Sequence, residues 1–130
     1  VSKTELLART KTFSLRILTL VDHLPRTISG RAIGNQLVRC GTSVGANYRA
    51  ACRSRSRAEF AARLGIVAEE ADETLYWLEL LRDEKLLSEA KLSDLLREAN
   101  ELTAIFTAGR RTSSHTQTSN IKPQTSYIPS

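Results

Sequence analysis

The sequence predicts an all-α protein: an antiparallel up-down-up-down four-helix bundle over residues 1–108, followed by a disordered Ser/Thr-rich tail over 109–130. Three observations carry that prediction. Four segments repeat apolar residues at steps of three and four, the spacing of one helical face. The breaks between them are short, which makes successive helices antiparallel neighbours. Aromatic residues are only 5% of the 130 and prolines number three, a composition that favours helix over sheet in a single domain.

In the first segment Leu6, Thr10, Phe13, Ile17, Leu20 and Leu24 keep helical spacing, with Ser2 or Thr4 as the cap, so a helix is expected from about Thr4 to His23, ended by Pro25. The second is expected from about Thr27 to Cys52, with Ile33, Leu37, Cys40, Val44, Tyr48 and Ala51 as its core stripe and Gly30 as a break or delay in its first turn. Gly34, Gly41 and Gly45 flank that stripe, and glycines inside a helix suggest close approach by a neighbouring backbone. Ser54 or Ser56 is expected to cap the third helix, which runs to about Arg82 with Phe60, Leu64, Val67, Ala71, Leu75 and Leu78 along one side. A second apolar stripe, Ile66, Trp77, Leu80 and Leu81, lies on another side of this helix and is expected to form an oligomer interface. Ser88 opens a fourth helix whose stripe, Leu92, Leu95, Ala99, Leu102 and Ile105, ends near Gly109. Beyond it serine, threonine, glutamine and proline take over without apolar periodicity.

Net charge is +5, and it is unevenly spread. Residues 25–63 carry eight Lys or Arg against one acid, whereas residues 64–108 carry four against eleven. Such a split serves either a basic patch open to an anionic partner or basic and acidic faces that meet within or between subunits. The basic group Arg39, Arg49, Arg53, Arg55, Arg57 and Arg63 is the candidate nucleic-acid-binding set, because guanidinium forks pair with phosphate oxygens. No stacking aromatics are interleaved with it, so a grip on nucleic acid is expected to be backbone-directed and weakly sequence-selective.

No apolar run reaches membrane-spanning length and no secretion signal is seen, so the chain is expected to be cytoplasmic, without membrane association. Cys40 and Cys52 sit about 18 Å apart along one helix, too far for a disulfide between them. Glu69, Glu70 and Glu73 have no Glu-x-x-His companion, so no metal and no cofactor are expected. Arg110 and His115 have the R-x4-H spacing of HEPN ribonucleases but fall in the tail; no catalytic residue is assigned, and a HEPN-type ribonuclease stays as an outlying alternative.

Gln36, Leu37, Arg39, Ser43 and Asn47 form a Q-L-x-R-x-x-x-S-x-x-x-N pattern, and Glu73, Trp77, Leu78, Leu80 and Leu81 an E-x-x-x-W-L-x-L-L run after a helix led by Phe60. In these motifs, over about Phe13 to Ile105, the chain resembles the four-helix-bundle family of 23S rRNA intervening-sequence (S23) proteins. It departs from many members in having Arg49-Ala50-Ala51-Cys52 where they carry an acidic residue and glycine. The resemblance implies a homopentameric ring without known catalysis. The accessory variability determinants of diversity-generating retroelements are similar to this family, and they imply RNA, DNA or a reverse transcriptase as partner. The sequence-level expectation is thus a non-catalytic homo-oligomer, pentameric by resemblance, that binds nucleic acid through its arginines. The alternative is a structural assembly protein that binds none.

Overall fold

Side-chain hydroxyls start three helices of the computed structural model, which describes the backbone of residues 1–119 and the side chains of residues 1–113. Ser2 caps α1 (Lys3–Val21), Thr27 caps α2 (Ile28–Ala51) and Ser56 caps α3 (Arg57–Asp83), each accepting from the backbone N–H three residues on. α4 spans Glu89–Ser119. The helices lie side by side in chain order, each antiparallel to the last, and α4 returns to meet α1 through the smallest contact of the four. This is the up-down-up-down bundle that the spacing predicts.

All five residues of the α1 stripe from Leu6 to Leu20, and all six of the α2 stripe, are buried. α3 is buried on two flanks because it packs against both α2 and α4, so Ala61, Ala68, Thr74 and Leu81 join its expected core residues. α1 approaches α2 closely at the glycines: a Cβ on Gly41 would come within 2.9 Å of Ile17, and one on Gly45 within 3.3 Å of the Thr10 carbonyl oxygen. Gly30 does not break α2. Its N–H bonds to the Thr27 hydroxyl at 3.1 Å, and the Pro25 carbonyl presses into the space that a side chain there would need.

Two expectations for α4 change. Phe106, which the periodicity passes over, is the buried aromatic, while Ile105 is only half-buried. The Phe106 ring reaches across the bundle to Tyr48 on α2, with ring centroids 5.1 Å apart. The helix also continues past Gly109 to Ser119. Gly109 faces Leu64, and the Arg110 stem lies over Gly65, so contact with α3 carries the helix through a residue that on its own disfavours it. Residues 120–130 of the expected tail lie outside the described residues.

Candidate nucleic-acid interface

The six candidate arginines do not form one patch. Arg39 leans from α2 onto α3, where its guanidinium pairs with Glu70 at 3.3 Å and with Glu73. Glu73 also accepts from the Trp77 indole at 3.1 Å, so the acidic stretch of α3 already holds Arg39 within the chain. That contact engages Arg39 within the chain, a pairing that helical spacing alone could not supply because it needs the neighbouring helix. Arg63 pairs with Glu59 one turn earlier at 3.2 Å. Arg57 is half-buried, and its Nη2 is shielded without a hydrogen-bond partner among the described residues.

Arg49, Arg53 and Arg55 remain exposed at the end of α2 and in the turn after it, and none makes an ion pair with a described residue. The turn itself is firmly built. Glu59 N–H donates to the Ser56 hydroxyl at 3.0 Å, while the Glu59 carboxylate accepts from the Arg55 backbone N–H at 3.2 Å. Those bonds, led by the Arg55 N–H and helped by Arg63, hold the Glu59 carboxyl below its ordinary pKa.

Arg49 and Arg53 open onto a groove of about 550 Å³ between α1 and α2, and its opposite wall carries Lys3 and Lys11. No carboxylate lines it. Leu7, Thr10, Gly45, Ala46 and Cys52 make a floor without aromatic rings, and the Ser14 hydroxyl bridges the helices, 3.2 Å from the Gly41 carbonyl oxygen. Burial pushes the Cys52 thiol pKa up, while contact with Tyr48 and the charge of Lys3 act the other way. Lys3 and Lys11 were missed at the sequence level because they lie on a different helix, far along the chain from the arginine-rich stretch; only the antiparallel packing sets them opposite the arginines.

The expected interface residues also separate. Ile66 is 45% exposed, and Tyr76, about 15 Å farther along α3, is 53% exposed with its ring edge-on to Trp77 at 5.2 Å. Trp77 and Leu80 are half-buried against the bundle's own core. Leu81 is fully buried inside its own chain, which takes it out of any surface between subunits. Arg110, of the R-x4-H pair, lies across Gly65, and the His115 side chain lies outside the described residues. Among the described residues no three metal-ligating side chains gather, and no helix is long and apolar enough to cross a membrane.

No functionally curated protein matches the chain. Among solved structures, a protein of unknown function of the S23 ribosomal protein family from Bacteroides thetaiotaomicron is similar. It is 31% identical, with a TM-score of 0.73, over 79% of this chain and 95% of that one. The model of the 23S rRNA-intervening sequence protein family matches residues 2–108, the whole bundle up to the point where α4 passes Gly109. With the family model matched over the whole bundle and a 31% identical relative of the same family sharing the fold, the chain belongs to the 23S rRNA-intervening sequence protein family.

Proposed function

We propose that this protein is a non-catalytic, homo-oligomeric bundle that binds the phosphate backbone of RNA or DNA through the basic end formed by α1, α2 and the α2–α3 turn. One observation carries the reading. Lys3, Lys11, Arg49 and Arg53 gather at that end without an ion pair to a described carboxylate, with exposed Arg55 close by in the turn, whereas Arg39 and Arg63 are matched to acids. Cations left unmatched on one face attract phosphates and release their counterions on binding. Assembly, in a ring of five as the family resemblance implies, is supported by exposed Tyr76 beside half-buried Trp77, with half-buried Leu80 and exposed Ile66 farther along α3.

A second reading rests on that same α3 surface. Exposed Glu69 and Asp72 stand among its apolar residues, so the acidic side of one copy complements the basic end of another, and the protein then only assembles. Replacing Arg49, Arg53 and Arg55 together by glutamine separates the two readings. The proposal expects affinity for ribosomal RNA fragments to fall at least tenfold, with the mass by light scattering unchanged. A variant that loses its oligomeric mass while keeping whatever RNA affinity it had supports assembly instead.

A further inference from the structure

The two walls of the α1–α2 groove both carry cations. On one wall Arg49 lies in the last turn of α2 and Arg53 in the turn just after it; on the other, Lys3 and Lys11 stand about 12 Å apart along α1. The helices are antiparallel, so Lys3 lies near Cys52 at the last turn of α2 and Lys11 lies farther in. A chain of phosphates running along this groove is therefore met from both sides. A double helix is too broad to enter about 550 Å³ of space between two packed helices and touches only the outer rim.

We infer that the groove is a track for a single phosphodiester strand, held between Lys3 and Lys11 on one wall and Arg49 and Arg53 on the other, with the bases turned outward. The floor has no ring on which a base could stack, so the strand is held by its backbone and its sequence matters little. This rests on the nucleic-acid reading above and narrows it to a strand class and a place.

Cys52 gives the test a built-in reporter. It lines the groove and is half-buried, whereas Cys40 is fully buried, so a thiol-reactive dye applied to the folded chain reads Cys52. At low salt, a labelled 20-residue oligo(dT) is expected to bind at least tenfold tighter than a duplex of the same length and to slow Cys52 labelling severalfold. Lys3→Gln with Lys11→Gln is expected to weaken oligo(dT) about tenfold and a duplex, which meets only the rim, by clearly less. It should also lower the salt slope by about one unit per lysine. Lys91→Gln, on α4, serves as the control. Duplex binding as tight as oligo(dT), with Cys52 labelling unaffected by either, overturns the track and leaves the general nucleic-acid reading standing. Failure of both probes to bind overturns both.

Discussion

Lys85 holds φ at +60°, the left-handed region that costs a residue with a Cβ about 1–2 kcal/mol. The reason is the end of α3, where Lys85 N–H bonds to the Arg82 carbonyl and Leu86 N–H reaches back to Leu81, a Schellman closure that usually holds glycine. Lys85→Gly is thus expected to raise stability by about 0.5–1 kcal/mol in urea unfolding at fixed protein concentration. Gly41→Ala goes the other way. Its new methyl meets the Cβ and both γ carbons of Ile17, atoms that cannot swing aside freely, so a loss of about 1–3 kcal/mol is expected despite alanine's better helix propensity. At Glu59 the pKa is depressed in the folded chain, so its bonds contribute stability above the ordinary carboxylate value and lose it as pH falls through the lowered one. Unfolding midpoints should drop on acidification below about pH 4, and Glu59→Gln should flatten that step.

At the scale of helices, most of the fold was legible because core-facing residues repeat with the helical period. The stripes of α1 and α2, and glycine-lined contact between them, follow directly from positions such as Leu37, Val44 and Gly41. α3 resisted the same reading: a helix covered on two sides spreads its apolar residues around the axis, and Leu81 then looks like surface. Phe106 was hidden for a related reason, since its ring crosses the bundle to Tyr48 instead of following the stripe of its own helix. Phe106→Ala should cost about 3–5 kcal/mol, more than a residue near a fraying helix end would. α1 meets α4 least, and the two are joined through Arg9 to Glu98 at 3.0 Å and Glu101 at 3.2 Å. The Arg9–Glu98 pair is part-buried and the Glu101 one more open, and surface pairs of this kind contribute about 1 kcal/mol or less. Native-state hydrogen exchange should accordingly show α1 opening before α3, and Arg9→Gln should widen that gap.

Across the whole molecule the sequence shows that positive and negative charge are segregated, but the packing decides which charges stay available. Arg39 is paired to α3, Arg63 within its own helix, and two lysines from α1 complete the basic end. The apolar surface divides in the same way: Ile66 and Tyr76 stay outside, and Leu81 does not. If copies of the chain meet over that surface, Ile66→Glu with Tyr76→Glu should shift the light-scattering mass from a multiple of 14.4 kDa towards a single chain. The central claim, that the basic end grips phosphates, is tested most directly by the affinity of the unaltered protein for RNA at a series of salt concentrations. A straight fall of log affinity against log salt, with a slope of roughly three to four for the four groove cations, is the predicted result. No measurable affinity at low salt, or an affinity indifferent to salt, contradicts it.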